Sequence, residues 1–191
     1  MEEIAYGELT ETSIGPIGVI ATQYGVSKVM FLVEDYSPAF FGRGHKSCSH
    51  LTKDGLKAFQ YLTQALTEIH QYLAGDTASP SFGSDKGFGT ALDLRGISAF
   101  QKAVLTKTAE IPFGQVRTYG EIALAVNRPD AARAVGSALA RNPIPLLIPC
   151  HRVIGSDARL HGFAAPEGIR IKARLLALEG LKLEGDRVLN R

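Results

Sequence analysis

The chain has 191 residues, of which 45% are hydrophobic and 21% charged, and a formal net charge of +2. Such a composition excludes a disordered or fibrous chain and leaves one large or two small globular domains. The near-balanced charge does not by itself call for a nucleic-acid partner, although a local basic face could still bind one.

Two cysteines, Cys48 and Cys150, are too few for a disulfide framework, so a reducing, cytoplasmic compartment is expected. No apolar signal region follows Met1-Glu2-Glu3, and no apolar run is long enough to span a bilayer, so no membrane partner is expected.

Residues 4–33 read as β, with 18–24 and 28–33 forming a hairpin about a turn near Gly25. Residues 34–53 are a loop rich in Gly, Ser, Pro and His. It holds His45, Cys48 and His50, but without a second cysteine pair these are read as solvated loop residues and no metal is expected. A helix follows, with Phe59, Leu62, Leu66, Ile69 and Leu73 on one apolar stripe and Gly75 as its stop. His70, near that stripe, is read as a packing or surface residue. The Ser/Gly/Pro/Asp stretch at 76–90 marks a boundary region. A short strand at 91–94 then closes an N-terminal domain of residues 1–95, leaving 96–191 as the second.

That second part reads as mainly helical. Ser98 caps a helix carrying Phe100, Ala103, Val104 and Leu105, which Ile111-Pro112-Phe113-Gly114 breaks. Thr118 and Glu121 form a capping box, and the helix over 119–126 stops at Asn127-Arg128-Pro129. Asp130 is expected to cap the next helix, over 131–141. Two short helices joined by a tight polar turn fit either a helix-turn-helix or an ordinary helical hairpin. On the second helix Ala131, Val135, Ala138 and Leu139 share an inward face. Arg133 and Ser137 lie roughly opposite Val135, flanked by the small residues Ala132, Gly136 and Ala140. An arginine projecting from so flat a surface can enter a DNA groove or replace a base in the stack; the alternative is a solvated arginine.

Residues 145–154 form an apolar run interrupted by Pro149-Cys150-His151-Arg152. The pattern predicts a buried, extended segment stiffened by Pro149. A thiol becomes a strong nucleophile as thiolate, and His151 is the nearest base. Neighbours on an extended chain face opposite sides, so the two can cooperate only through a turn or a bridging water. A buried structural cysteine beside a hydrogen-bonded histidine is the competing reading. Beyond a turn at Gly155-Ser156-Asp157 and a loop at 158–168, Pro166 suits a helix start. The last helix carries Ile171, Leu175 and Leu178, and the polar tail from Glu184 is expected to fray. Neither a dinucleotide glycine fingerprint nor a phosphate loop occurs, so no cofactor is expected.

Five motifs now stand in order: Phe113-Gly114-Gln115-Val116-Arg117-Thr118-Tyr119, Arg133-Ala134-Val135-Gly136, Arg141-Asn142-Pro143, Ile148-Pro149-Cys150-His151-Arg152-Val153 and Leu178-Glu179-Gly180. Across roughly residues 91–182 this resembles the methylated-DNA–protein-cysteine methyltransferases, the alkylguanine-DNA alkyltransferases. The resemblance implies an α/β N-terminal domain with a small antiparallel, ribonuclease H-like sheet. It implies a mainly α, winged-helix-like C-terminal domain with a helix-turn-helix. The implied reaction is irreversible, single-turnover transfer of an alkyl group from alkylated guanine, and from alkylated thymine, in double-stranded DNA to Cys150, by a monomer.

By the same resemblance His151 acts on Cys150 through a water and is oriented by Glu179. Tyr119 helps rotate the nucleotide and donates to the departing base, and Asn142 ties the helix to the cysteine segment. Arg133 fills the vacated stack, while Thr118, Ala131, Ala132 and Ser156 meet groove or phosphate. Val153, Phe163 and Ala164 surround the base. Phe163 stands where the family usually has tyrosine, in a slightly longer loop, which leaves backbone N–H groups to bind the guanine oxygen. Three other readings compete. A non-enzymatic alkyltransferase-like damage sensor would lack the cysteine. A Cys-His hydrolase would need an oxyanion hole, and a dimeric regulator would need a dimerisation helix.

Overall fold

The computed structural model describes residues 3–32, 52–75 and 89–189. The loop with His45, Cys48 and His50, and nearly all of the 76–90 stretch, lie outside the described residues.

Three strands, β1 (Ile4–Leu9), β2 (Ile17–Thr22) and β3 (Gly25–Phe31), pair antiparallel in the order β1-β2-β3. The expected hairpin is β2–β3, with Val19 opposite Val29. Ile17, Val19 and Ala21 of the central strand are fully buried, beneath helix α1 (Lys53–Leu73). Gly7 of β1 lets that helix approach, since a Cβ there would press to 2.9 Å from Leu66 Cδ1. Thr52 caps α1 by accepting from the Gly55 N–H at 3.4 Å, and Gly75 ends it with φ +72°.

The buried stripe of α1 is offset from the expected one. It runs through Ala58, Leu62, Ala65, Ile69, Tyr72 and Leu73, while Phe59 is 42% exposed. Two alanines, too small to weigh in a hydrophobicity count, are what allow close contact with the sheet. The strand expected at 91–94 is a single bridge. Val26 N–H donates to the Ala91 carbonyl at 2.8 Å, and Asp93 N–H to that of Val26 at 2.7 Å. Asp93 ends the pairing because its carboxylate takes the Thr22 hydroxyl at 2.7 Å and the Arg95 backbone N–H at 3.2 Å.

Helix α2 (Ala99–Ala109) is capped by Ser98 as expected. Strand β4 (Arg117–Thr118) pairs parallel with β5 (Val153–Ile154), which brings the start of helix α3 (Tyr119–Ala125) beside the cysteine segment. The capping box is complete: Glu121 N–H donates to Thr118 Oγ1 at 3.1 Å, and Thr118 N–H to Glu121 Oε2 at 2.6 Å. Helix α4 (Ala132–Ala140) starts one residue late, and Asp130 does not cap it. Ala131 N–H bonds the Arg128 carbonyl at 2.9 Å. The bend after Pro129 therefore closes at Ala131, and Ala131, without a side-chain acceptor, occupies the cap.

Two further expectations are corrected. Helix α5 (Ile169–Leu178) begins beyond Pro166, because Gly168 at φ 54°, ψ −124° is not helical and Pro166 lies in the preceding turn. As far as Leu189 the tail does not fray. Strands β6 (Leu183–Glu184) and β7 (Arg187–Val188) form a hairpin about Gly185. Val188 packs in an apolar cluster with Ile154, Leu160 and Leu176, and its N–H donates to the Ala158 carbonyl at 2.9 Å. Two apolar residues, Leu183 and Val188, dock the tail despite its polar composition. The main apolar cluster is continuous from the sheet and α1 through α2 and α4 to α5. Among the described residues no helix is long and apolar enough to cross a membrane.

Candidate active site

The cysteine does not sit on an extended strand. Pro149 takes φ −78°, ψ 63°, an inverse γ-turn in which Cys150 N–H reaches the Ile148 carbonyl at 2.8 Å, and Arg152 N–H then bonds that of Pro149 at 2.9 Å. Cys150, His151 and Arg152 thus form one 3-10 turn. Proline fixes the φ that such a turn needs, so the residue that suggested a stiff strand stiffens a bend instead. Asn142 straps it from the end of α4: Nδ2 donates to the Ile148 carbonyl at 3.0 Å, and Oδ1 accepts from Ile144 N–H at 3.0 Å. Burial pushes the Cys150 thiol up. The Asn142 amide, the Lys172 charge and the N–H groups of Cys150 and His151 oppose that without cancelling it. The sulfur therefore rests as thiol and needs a base.

Behind the turn lies a buried polar network centred on Glu179, the C-cap of α5. His151 Nε2 is 2.7 Å from Glu179 Oε1, and the Tyr72 hydroxyl donates to the same oxygen at 2.7 Å. Arg152 Nε lies 3.0 and 2.9 Å from the two carboxylate oxygens, and its guanidinium also reaches the Ile111 carbonyl at 2.6 Å. Gly114 N–H donates to Oε2 at 3.1 Å. Burial alone would raise the pKa of Glu179, but His151 and Arg152 outweigh it and hold the carboxyl at about 2. Burial lowers that of His151, against the pull of Glu179. The imidazole is therefore neutral at pH 7 beside an ionised carboxylate. Its Nδ1 is buried and has no hydrogen-bond partner among the described residues. An imidazole held at one nitrogen by a carboxylate, with the other nitrogen free, is built to accept a proton.

Lys172 of α5 is 1% exposed. Its ammonium donates to the carbonyls of Val153 at 2.6 Å and His161 at 3.3 Å, and lies 5.9 Å from the Tyr119 ring centroid. Burial lowers its pKa to about 8, and Cys150 pulls it the other way. The lysine is thus the cation that favours a thiolate here. Lys172→Met is expected to raise the Cys150 pKa further, read as an alkaline shift in the pH dependence of iodoacetamide alkylation. An unmoved profile would show that the charge does not reach the sulfur.

On the outer side a cleft of about 960 Å³ opens between α4 and the 155–164 loop. Tyr119, Arg133, Gly136, Ser156, His161 and Phe163 line it, together with Ala132 and Ala164. Arg133 is exposed, and Gly136 keeps the wall flat where a Cβ would stand 3.7 Å from the Tyr119 ring. A side chain at Gly155 would collide with Asp157 and His161. Burial, and after it the charge of Cys150, raises the pKa of Tyr119, which keeps its hydroxyl protonated as a donor. Phe163 meets Phe31 of β3 edge-on at 5.8 Å, so the sheet supports the loop.

The structure thus gathers Cys150, His151, Glu179 and Asn142 at one turn, and Tyr119, Ala132, Arg133, Ser156, Phe163 and Ala164 around one cleft. Ala131 packs against the core instead, and Thr118 borders a separate groove beneath α3. Val153 is fully buried, with its N–H on the Cys150 carbonyl and its own carbonyl on Lys172. Sequence reasoning missed Tyr72 and Lys172 and gave Arg152 no role. Lys172 carried a signal, a cation three residues from Leu175 on the apolar stripe of α5. So did Tyr72, three residues past Ile69, since a buried phenol needs a partner.

Residues 99–181 match the family model for the DNA-binding domain of 6-O-methylguanine DNA methyltransferase. A methylated-DNA–protein-cysteine methyltransferase of Methanosarcina acetivorans is 36% identical over 175 residues, which is 92% of this chain and 98% of that one. The crystal structure of Mycobacterium tuberculosis O6-methylguanine methyltransferase superposes with a TM-score of 0.69 at 33% identity, covering 96% of both chains. A crystal structure of Mycobacterium tuberculosis OGT in complex with DNA gives 0.67 at 33% identity, covering 91% of both.

Proposed function

The chain belongs to the methylated-DNA–protein-cysteine methyltransferases, and from that premise we propose that Cys150 accepts one alkyl group from the exocyclic oxygen of an alkylated guanine in double-stranded DNA. The observation that carries this is the buried turn that sets Cys150 beside a neutral imidazole held by Glu179, with Nδ1 unpartnered among the described residues. Through a water, Nδ1 takes the thiol proton. The thiolate attacks the alkyl carbon, an S–C bond forms as the C–O bond breaks, and the electron pair stays on the guanine, which Tyr119 protonates or hydrogen-bonds. A thioether offers water no leaving group, so the protein reacts once. Intact mass after incubation with excess methylated duplex tests this: one added methyl per chain is expected, and none would overturn it.

Around that step the residues singled out by the motifs take the roles the resemblance implies. Val153, Phe163 and Ala164 surround the extruded base, and Asn142 holds the cysteine turn. Thr118, Ala131, Ala132 and Ser156 meet the DNA backbone or groove. We read α3, the 126–131 turn and α4 as a helix-turn-helix in a winged-helix-like unit of residues 96–191, and residues 1–95 as a ribonuclease H-like unit. The reading extends to alkylated thymine, and to a monomeric, cytoplasmic protein working without cofactor or metal. A damage sensor without transfer chemistry is the weaker alternative, since Cys150 and its relay are present.

Arg133 supplies a separate test. It stands exposed on the cleft rim of α4. If it fills the stack, Arg133→Ala should slow repair of duplex on the order of a hundredfold, because a few kcal/mol of unstacking goes uncompensated. Transfer from the free alkylated base should scarcely change. Equal losses on both substrates would remove the finger role.

A further inference from the structure

We infer that Tyr72 of α1 joins Glu179 in holding the tautomer and orientation of His151 and is thereby a positioning residue for the acceptor cysteine. The inference deepens the reading above and rests on it. Tyr72 is fully buried, with its hydroxyl oxygen 2.7 Å from Glu179 Oε1 and 3.1 Å from His151 Nε2. An ionised carboxylate can only accept, so the phenol proton points to Glu179. The hydroxyl oxygen then turns lone pairs toward the imidazole. Nε2 faces two acceptors, Glu179 Oε1 and Tyr72 Oη, and a neutral ring must place its single proton there. Nδ1 is left as the free lone pair, and it is the buried nitrogen that lacks a partner.

Glu179 alone does this less securely, because its Oε1 is also claimed by Arg152 at 3.0 Å. Tyr72 adds a second acceptor for the Nε2 proton, at 3.1 Å. It can do so because α1 is anchored in the core at this point. Ile69 and Leu73 on the same helix are buried in the core, and the Tyr72 ring meets Phe113 edge-on at 6.4 Å. Burial, with the neighbouring Glu179 carboxylate, holds the phenol pKa well above its ordinary value, so it stays a donor over the working pH range. A helix that otherwise covers a sheet thus contributes a wall of the proton relay, 79 residues away in sequence from the histidine it orients.

Tyr72→Phe keeps the ring and deletes the hydroxyl. Its transfer rate is expected to fall roughly tenfold, less than the roughly 10²- to 10⁴-fold that losing a general base outright would cost, and equally on methylated duplex and on free alkylated base. Affinity for unmodified duplex should not change. The readout that packing alone would not move is the nitrogen-15 spectrum of the His151 ring. Wild type should show the Nε2–H form, and Tyr72→Phe a displaced Nε2 resonance, since the proton loses one of its two acceptors. The exposed control Phe59→Tyr on the same helix should match wild type in both. A wild-type rate with an unchanged His151 spectrum in Tyr72→Phe overturns the inference, as does a loss confined to duplex DNA. If Tyr72→Phe does not fold, 3-fluorotyrosine at position 72 substitutes for it. Its stronger O–H donation should displace the His151 Nε2 resonance, and no displacement overturns the inference. If wild type takes up no methyl, the proposed function fails, and the His151 spectra still decide the role of Tyr72.

Discussion

Cys150→Ser is expected to lose methyl transfer by at least about 10⁴-fold, since removing a nucleophile that works with a neighbouring base abolishes nearly all of a site's chemistry. The reason lies in the relay. A neutral His151 can take a proton from a thiol whose pKa burial has raised, but not from a buried serine hydroxyl, which is intrinsically far less acidic. Lys172 and the N–H groups that favour a thiolate cannot close that gap. Cys150→Ala should bind duplex like wild type, because the cleft residues on α4 and the 155–164 loop do not include the sulfur. Wild type should end with one methyl on the peptide containing Cys150 and none on that containing Cys48, which lacks the relay motif around it in sequence. Turnover beyond one equivalent, or methyl on Cys48, contradicts the mechanism.

The elements with local chemistry were readable directly. The capping box at Thr118–Glu121 and the Ser98 cap each need only residues a few positions apart, and both form. The β2–β3 hairpin is equally local. Features decided by distant partners were not readable. Apolar flanks suggested a strand at Cys150, yet the Pro149 bend is held by Asn142 and backbed by Glu179 from another helix. The tail looked frayed because its polarity counted for more than Val188, whose burial depends on Ile154 and Leu176. At the site, the motif string placed Cys150, His151, Asn142 and Glu179 together in advance. Tyr72 lies 107 residues before Glu179, outside every motif, and only the tertiary fold brings the two together.

Removal of the Glu179 charge should have the widest effect of any single change outside Cys150. Its two oxygens receive Tyr72, His151, Arg152 and the Gly114 N–H, so Glu179→Gln replaces one acceptor by an NH₂ that faces donors. Arg152, 5% exposed, is left as a buried cation without its counter-charge, which costs on the order of 3 kcal/mol. The imidazole also loses the charge that favours its protonated form, and transfer should slow by roughly 10²- to 10³-fold. The pH dependence follows from the same groups. The folded-state pKa of Glu179 is depressed from 4.5 to about 2, so its stabilisation is present above 4.5 and is lost as pH falls toward 2. His151 is depressed below 6.5, so the unfolded chain gains protons first as pH falls below 6.5, which also destabilises the fold. Wild type should therefore weaken steadily on acidification from pH 6.5. Glu179→Gln, lacking the carboxylate, should show a shallower loss between pH 4.5 and 2, and the gap between the two proteins should narrow there. Denaturant unfolding at stepped pH measures both. A gap that stays constant down to the acid limit would mean that the carboxylate is not held ionised by Arg152 and His151, and that the relay is set by some other contact.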